Sequence, residues 1–403
     1  AQTPTAATPI AASPMAAVKP ISWTELGPGG VLLARAIAAA ACPAIAIDGA
    51  AAPMTVHAPA TAAFPDVVCQ ATIPAAAKSA AIGAQALALL PASYDRIAVV
   101  GDTGCRVVQS RAQPCDDPAA WPLAQVAGQI AGWQPGLIIH VGDYIYREAP
   151  CPAGDAGCAG SPWGDNAATW QADVFRPMAS VLPAAPWIFV RGNHEDCDRE
   201  GFGWFRYFDP RPLPSACETY TDPYPIPLNG VRFLVMDTAE AGDTQSSPAL
   251  DAVYAAQLKQ LAALTKPGDW LLTHKPIAGG ILRLNGKPEQ IVTDKTFQNI
   301  SGSRLPAGIA VVLSGHIHLA EALLFNNDSG RPTQLISGNG GTLEDPGRTG
   351  AFAGAILGDP NVQVGFVGAD FGWMTLVTDG DRLTATARAL DGSAQFTVHL
   401  PAR

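Results

Sequence analysis

The sequence lacks clusters of basic residues. Lys and Arg together number 25, against 35 Asp and Glu, so the formal net charge is −10. General binding to nucleic acid or to an anionic membrane surface requires local blocks of Lys and Arg. We therefore expect neither of these partners, and any attraction for a phosphate group must come from a local site.

Long apolar runs and internal repeats are also missing. No run reaches the ~20 apolar residues that a membrane-spanning helix needs, so we expect no membrane span. The chain begins at Ala1 without a Met or a basic, apolar leader, and this start is what we expect of a mature chain after removal of a secretory signal peptide. At 403 residues and 48% hydrophobic content, the chain can bury a large core, and its length predicts two or three domains.

No Cys-x-x-Cys pair occurs, which disfavours a zinc ribbon. The eight cysteines, an even number, suggest four disulfides. Their connectivity is open, because eight cysteines allow about 105 pairings. Pairing of neighbours in chain order would give Cys42–Cys69, Cys105–Cys115, Cys151–Cys158 and Cys197–Cys217. Disulfides imply an oxidising compartment and a periplasmic or secreted protein, whereas eight buried free thiols in a cytosolic protein are the alternative.

Composition divides the chain into three parts. Residues 1–20 are mostly Ala, Pro and Thr, and we expect a disordered lead-in. Residues 21–93 alternate short apolar runs with Gly, Pro and Asp turns, which favours a small N-terminal β domain, although the Ala-rich stretches could be helical on propensity alone. From residue 94 to 403 we expect one catalytic domain in which strands, loops and helices alternate.

Hydrophobic patterning predicts the main elements of this catalytic domain. Helical spacing of apolar residues occurs over 121–133 and 250–264. An alternating pattern over 372–400, around the turn Asp379-Gly380-Asp381, predicts an antiparallel hairpin or meander. The expected buried strands are 97–100, 137–141, 187–190, 233–236, 270–272, 309–313 and 334–337.

Five short segments bring metal-type ligands to the ends of apolar runs. They are Gly101-Asp102-Thr103-Gly104, Gly142-Asp143-Tyr144-Ile145-Tyr146, Gly192-Asn193-His194-Glu195, Thr273-His274 and Gly315-His316-Ile317-His318. Open α/β sheets gather ligands at the carboxyl ends of their strands, and glycine before a ligand lets the backbone approach a metal closely. Taken singly, such residues could equally cap helices, form turns or be buried histidines. As a set they are enough for two cations with an open position: Asp102, Asp143, Tyr146, Asn193, His274, His316 and His318.

In this order, the segments resemble the motifs of the calcineurin-like metallophosphoesterases, and specifically those of the purple acid phosphatase branch. The resemblance covers residues 101–318 and extends to Ser337-Gly338-Asn339-Gly340-Gly341. It implies an α/β (α+β) fold in which two sheets form a β-sandwich flanked by helices, in four αββα layers. It also implies an enzyme that hydrolyses phosphate esters.

The departures from the wider superfamily point to two different metals. Gly104 stands where many members carry a histidine, and Tyr146 supplies a phenol instead. The resemblance implies that Asp102, Asp143, Tyr146 and His318 hold Fe(III), and that Asp143, Asn193, His274 and His316 hold a divalent ion such as Zn, Fe or Mn. A phenolate and carboxylates suit Fe(III), while imidazoles and an amide suit the divalent ion.

His194 is similar to the family histidine that contacts substrate and protonates the leaving group. The expected reaction is hydrolysis of phosphate monoesters by attack of a metal-bound hydroxide, with a small phosphorylated molecule as substrate. A phosphodiesterase or nucleotidase with the same metals is one alternative, and a non-catalytic phosphate- or cell-surface-binding protein is another. The chain lacks the further histidines between His274 and His316, and the Tyr-Glu-Arg run after the last motif, that purple acid phosphatases usually carry. The sequence does not fix the oligomeric state.

Several residues near the motifs allow two interpretations. The aromatic segment 202–208 either walls a substrate pocket or packs a long loop onto the body of the protein. Arg191 and Lys275 flank ligands, and either contact phosphate or are solvated at the surface. We expect His140 to be a core histidine or one that orients a ligand, and His57 and His399 to lie at the surface.

Overall fold

A computed structural model describes residues 21–325, 330–356 and 361–401. The expected lead-in, residues 1–20, lies outside this range. Between residue 21 and the first ligand segment the described chain forms nine strands: β1 (Ile21–Leu26), β2 (Leu32–Ala38), β3 (Ala44–Ile47), β4 (Ala50–Pro53), β5 (Thr55–Ala58), β6 (Val67–Ile73), β7 (Ala80–Ile82), β8 (Gln85–Ala86) and β9 (Arg96–Val100).

The strands of the remaining chain are longer on average towards the C-terminus. They are β10 (Val107–Val108), β11 (Arg111–Ala112), β12 (Leu137–His140), β13 (Trp187–Phe189), β14 (Tyr224–Leu228), β15 (Val231–Val235), β16 (Asp269–Leu272), β17 (Ala278–Leu282), β18 (Pro288–Thr293), β19 (Ile309–Ser314), β20 (Ala320–Phe325), β21 (Thr333–Ser337), β22 (Gly350–Ile356), β23 (Asn361–Gly368), β24 (Gly372–Asp379), β25 (Arg382–Ala389) and β26 (Ala394–Pro401).

The described chain has five α-helices, with local signals at their ends. They are α1 (Leu123–Trp133), α2 (Ala167–Trp170), α3 (Gly201–Tyr207), α4 (Pro248–Leu264) and α5 (Lys295–Ser301). Ser247 caps α4 by accepting a hydrogen bond from the N–H of Leu250, and Asp294 caps α5 in the same way. Such caps satisfy backbone donors that have no partner within the helix. Single 3₁₀ turns occur at Pro28–Gly30, Ala156–Cys158 and Asn193–Glu195, and a π turn at Gln171–Phe175 extends α2.

Two large sheets form the centre of the protein. The ten-stranded sheet has the order β26-β25-β24-β9-β12-β13-β1-β2-β6-β5, and the eight-stranded sheet has the order β14-β15-β16-β19-β21-β20-β23-β22. Parallel pairing is confined to their middle strands, β9-β12-β13-β1 in the first and β15-β16-β19-β21 in the second. Apart from β1, the parallel strands are the buried apolar runs that the sequence predicts.

The sheets pack face to face, with helices on the outer faces. One buried cluster joins Val99 and Ile139 of the ten-stranded sheet to Phe233 and Leu313 of the eight-stranded sheet. Ala98 and Ile138 point to the opposite face of the first sheet and pack with α1, while Leu234 of the second sheet packs with α4 and α5. This arrangement confirms the predicted β-sandwich flanked by helices.

The N-terminal region is rich in strands, and most of these strands belong to the large sandwich. β1 pairs in parallel with β13, and β2, β6 and β5 continue the same ten-stranded sheet. Only β3, β4, β7 and β8 form a small sheet of their own. The ten-stranded sheet therefore continues across the predicted boundary between residues 93 and 94. Pairing with β13 satisfies backbone N–H and C=O groups of β1, which an isolated 73-residue β domain would have to pair internally.

Four disulfides confirm the pairing of neighbouring cysteines: Cys42–Cys69, Cys105–Cys115, Cys151–Cys158 and Cys197–Cys217. None of the eight cysteines is free. Within the described residues, no helix has the length and apolar character that crossing a membrane requires.

Candidate metal centre

The residues singled out as ligands follow strand ends in both sheets. The ten-stranded sheet contributes Asp102 after β9, Asp143 and Tyr146 after β12, and Asn193 after β13. The eight-stranded sheet contributes His274 after β16, and His316 and His318 after β19. Because parallel strands present their carboxyl ends at one edge, each sheet delivers its residues to the same rim of the sandwich. The structure brings all seven together.

A first group of side chains surrounds the Tyr146 hydroxyl. This oxygen lies 2.9 Å from Asp102 Oδ1, 2.8 Å from Asp143 Oδ2 and 3.0 Å from His318 Nε2. Both carboxylates and the phenol are buried. A hydroxyl has one hydrogen to donate, so it satisfies only one of these three acceptors at a time.

A second group shares Asp143 with the first. One ligand atom from each of Asp143, His274 and His316 lies within 4.8 Å of the others. His274 Nε2 is 3.2 Å from Asp143 Oδ2 and 3.0 Å from the side-chain oxygen of Asn193. Asp143 is therefore the one carboxylate that faces both groups.

The histidine tautomers make the pocket rich in lone pairs. His274 Nδ1 is 2.8 Å from the backbone oxygen of Val141, and His318 Nδ1 is 2.8 Å from that of Leu343. A carbonyl oxygen only accepts, so Nδ1 carries the proton in both rings. In the neutral imidazoles Nε2 then has a lone pair. His274 Nε2 faces oxygens of Asp143 and Asn193, and His318 Nε2 faces the Tyr146 hydroxyl. Lone pairs that converge in this way are what a cation binds.

Three of the seven residues adopt a strained backbone conformation. The φ angles of Asp102, Asp143 and His316 are 56°, 59° and 72°. A non-glycine residue with positive φ is uncommon and typical of functional sites. The neighbouring glycines allow close approach: a Cβ on Gly142 would lie 2.4 Å from His274 Nδ1, and one on Gly192 would lie 2.1 Å from Asp143 Oδ1. These contacts explain why glycine precedes the ligands.

Glu195 holds two of the loops together, a role that the sequence analysis missed although the residue belongs to the third motif. One carboxylate oxygen accepts hydrogen bonds from the N–H groups of Asp143 and Gly192, both at 3.1 Å. The other accepts from Tyr144 at 2.7 Å and Ile145 at 3.2 Å. Glu195 is fully buried and thus fixes the backbone on either side of Asp143.

Burial and neighbouring charges shift the pKa values of Asp102 and Asp143 in opposite directions. Burial, reinforced by the adjacent Asp143, raises the pKa of Asp102 well above its ordinary value. Burial opposes ionisation of Asp143 as well, but His274 and His194 outweigh it and lower the pKa of Asp143 well below its ordinary value. Burial and both carboxylates raise the pKa of Tyr146. Among the protein groups alone, Asp143 is thus the carboxylate that stays ionised.

His194 lies beside the first group. Its ring centroid is 3.9 Å from that of Tyr146, and its Nε2 is 3.8 Å from Asp143 Oδ2. Its Nδ1 is 2.5 Å from Glu148 Oε1, and Arg199 contacts the same carboxylate at 3.3 Å. The motifs identify His194 but not Glu148, which stands two residues after Tyr146 in the same loop.

Asp243 is a further residue that the sequence analysis missed. Its Oδ2 is 3.1 Å from His316 Nε2, and its Oδ1 is 3.3 Å from Lys275 Nζ. Burial favours the neutral acid, but His316 and Lys275 lower the pKa of Asp243 to about 2. No motif surrounds Asp243, so the sequence contains no signal that could have identified it.

The sequence allows two interpretations for Arg191, Lys275 and the aromatic segment 202–208, and in the structure all three have structural roles. Arg191 is buried and donates to the backbone oxygens of Glu195 and Glu218, which argues against both phosphate contact and solvation at the surface. Lys275 is also buried, and its Nζ donates to the backbone oxygen of Ala241. The aromatic residues of α3 lie within a buried cluster, which supports packing over a pocket wall.

The three histidines outside the motifs differ in burial. His140 is fully buried and stacks on Tyr144, as expected of a core histidine, and burial lowers its pKa to about 3. The prediction that His57 lies at the surface is wrong, because its ring is buried and contacts the backbone oxygen of Phe205. His399 is exposed, as predicted.

Two solved structures share the fold at low sequence identity. A purple acid phosphatase, PPD1, from yellow lupin (Lupinus luteus) seeds aligns with a TM-score of 0.57 and 12% identity, over 94% of this chain and 74% of its own. PhoD aligns with a TM-score of 0.59 and 12% identity, over 96% of this chain and 90% of its own. No curated protein sequence matches the chain significantly. Residues 95–320, more than half of the chain, match the calcineurin-like phosphoesterase family, and the chain therefore belongs to this family of metal-dependent hydrolases of phosphate esters.

Proposed function

We propose that the chain is a phosphatase with a binuclear metal centre that hydrolyses phosphate monoesters. Asp102, Asp143, Tyr146 and His318 would hold Fe(III). Asp143, Asn193, His274 and His316 would hold a divalent ion, Zn, Fe or Mn. The observation that carries this proposal is the convergence of two carboxylates and one imidazole within 3.0 Å of the Tyr146 hydroxyl.

The donor set fits these ions. The Tyr146 group offers a phenol, two carboxylates and one imidazole, a combination that suits a hard trivalent ion. The second group offers two imidazoles, an amide oxygen and the shared carboxylate, which suits a borderline divalent ion. When bound, the two ions would lower the pKa of a water molecule and neutralise phosphate charge.

The other residues of the site would act on substrate and position the ligands. His194, held through Nδ1 by Glu148, would protonate the leaving oxygen from its Nε2. Glu195 keeps the backbone around Asp143 in place, and Val141 holds the tautomer of His274. The backbone oxygen of Leu343 does the same for His318. Such outer contacts orient ligands and sharpen their affinity for metal.

A phosphodiesterase or nucleotidase that uses the same centre is the second candidate. The structural similarity to PhoD and to a purple acid phosphatase leaves the choice of ester to experiment. A non-catalytic phosphate-binding protein is a weaker candidate, because burying Asp102 and Asp143 side by side is unfavourable unless a cation compensates their charge. The four disulfides support a periplasmic or secreted location.

Metal analysis combined with an ester panel tests the proposal. We expect two metal ions per chain, one of them iron, a visible phenolate-to-iron absorption band, and faster hydrolysis of an aryl phosphate monoester than of the matching diester. A colourless, iron-free preparation with full activity would contradict the iron assignment. Higher activity on the diester would favour the second candidate.

Removing one ligand from each sheet tests the centre itself. Asn193→Ala and His316→Ala should each reduce kcat for the aryl phosphate by more than about 100-fold, since loss of a ligand should exceed the 10–100-fold effect of its outer contacts. Circular dichroism should show that both variants remain folded. Turnover retained in either variant would refute its role as a ligand.

A further inference from the structure

Three cationic side chains lie close to the candidate metal centre, and two of them are neutralised by carboxylates. Lys275 Nζ is 3.3 Å from Asp243. Arg199 is 3.3 Å from Glu148 and 3.5 Å from Asp196. The third cation, Arg106, makes no ion pair with any of the residues that the structure describes, and its Nε is buried without a hydrogen-bond partner.

Arg106 is directed at the Tyr146 side of the centre. Its Cζ lies 4.7 Å from the centroid of the Tyr146 ring, and its Nη2 is 3.5 Å from His318 Nε2. Both neighbours are proposed iron ligands. The guanidinium lies over the phenol ring, a cation–π position that Arg occupies more often than Lys.

The backbone of Arg106 is held rigidly. Its N–H donates to the side-chain oxygen of Gln113 at 3.1 Å, and its carbonyl accepts from the Gln113 N–H at 2.7 Å. The preceding residue, Cys105, is bridged to Cys115. A charged group on such a loop is preorganised, so that little ordering entropy is lost when it binds a ligand.

If the two metal ions are bound, an unpaired, half-buried cation beside them would be unfavourable, because like charges repel and burial weakens solvation. An anion that contacts both the metals and Arg106 would reverse this effect. Arg binds phosphate through charge-assisted hydrogen bonds, which are stronger than neutral ones. A phosphate monoester carries between −1.5 and −2 charges near pH 7, whereas a diester carries one.

We propose that Arg106 binds a non-bridging oxygen of the substrate phosphate and thereby favours the doubly charged monoester over the diester. This role rests on the proposed function. It also provides a substrate contact in a chain that lacks the additional histidines and the Tyr-Glu-Arg run of the purple acid phosphatases it resembles.

Calorimetric binding of inorganic phosphate to the purified, metal-containing protein tests the role without requiring turnover. Arg106→Gln should weaken phosphate binding by about 10- to 100-fold, the range expected for loss of one hydrogen bond between charged groups. Arg106→Lys keeps the charge but not the planar set of N–H donors, and it should show a smaller loss of phosphate affinity. Arg111→Gln is the matched control, because Arg111 is exposed in the same disulfide-closed loop.

Steady-state kinetics provide the second measurement. In Arg106→Gln we expect KM for an aryl phosphate monoester to rise as phosphate affinity falls, with a smaller rise for the matching diester. Unchanged phosphate affinity would overturn the role of Arg106, and so would equal losses on both esters accompanied by loss of iron. Failure of the proposed function is distinct, because it would appear as a wild-type protein that binds phosphate but hydrolyses neither ester.

Discussion

The two large sheets contribute chemically different halves of the candidate centre. The loops of the ten-stranded sheet supply only oxygen donors: Asp102, Asp143, Tyr146 and Asn193. The loops of the eight-stranded sheet supply only imidazoles: His274, His316 and His318. Neither half alone provides the mixed donor sets proposed for the two ions. The centre therefore exists only when the sheets pack against each other.

The halves also differ in how their loops are held. All eight cysteines precede β14, so the four disulfides stabilise the part of the chain before β14, in which the oxygen donors lie. The imidazole loops are instead held by hydrogen bonds across the sandwich. His274 Nδ1 donates to Val141 at 2.8 Å, and the N–H of His316 donates to Asp102 Oδ2 at 2.9 Å. Oxidative folding thus stabilises one half directly and the other through contact with it.

Replacing Asp143, the carboxylate that faces both groups, should have the largest effect on activity. Asp143→Asn should lower kcat for an aryl phosphate by more than about 1,000-fold, because a shared ligand affects both ions. Loss of a ligand to one ion should already exceed the 10–100-fold effect of losing a residue that only orients a ligand. Metal analysis should show that both ions are depleted. Asp379→Asn is a matched control, since Asp379 is exposed at the end of β24 that lies away from the ligand loops. Full metal content in Asp143→Asn would contradict the shared role.

A smaller effect is expected for His194. This residue lies in a loop of the ten-stranded sheet, and we assign it to proton transfer rather than to metal binding. His194→Gln should lower kcat by about 100-fold, near the lower end of the effect of general acid catalysis. Metal content should remain unchanged, which separates this variant from those of the ligands. The loss should shrink for esters with good leaving groups, because these need no proton. An equal loss for all leaving groups would argue against the assignment.

The smallest effect on activity is expected for loss of a disulfide. Replacing Cys197 and Cys217 by serine should lower the free energy of unfolding by about 2–4 kcal/mol, as is typical of a bridge that closes a loop of this size. Thermal unfolding should show the shift, while metal content and activity below the transition should change little. Loss of metal from the folded double variant would show that the bridge also shapes the His194 loop that precedes it.

Much of the sandwich could be predicted because its central strands are buried on both faces. The observed strand Arg96–Val100 differs by one residue from the expected 97–100, and α1 begins two residues after the predicted start of its helix. Continuous apolar runs of this kind give a strong local signal. The pairing of β1 with β13 could not be predicted, because nothing in a short alternating run indicates which edge it will pair with.

The residues that surround the ligands were harder to predict. Arg106, Glu148 and Asp243 are ordinary charged residues in loops, and their roles depend on contacts with His318, His194 and His316. Sequence spacing does not encode such contacts between distant segments. His57 was misplaced for the same reason, since its burial depends on α3, about 150 residues later in the chain.

The order of the ligand segments, the glycines that precede them and the buried strands that carry them follow from the sequence alone, because these are local patterns of residue type and spacing. The packing of the two sheets sets three further features. Oxygen and nitrogen donors come from opposite sheets, Asp143 lies between the two groups, and Arg106 has no carboxylate partner among the residues that the structure describes. These features depend on how two sheets, joined by long stretches of chain, pack on one core, and that packing is fixed by contacts between residues far apart in sequence.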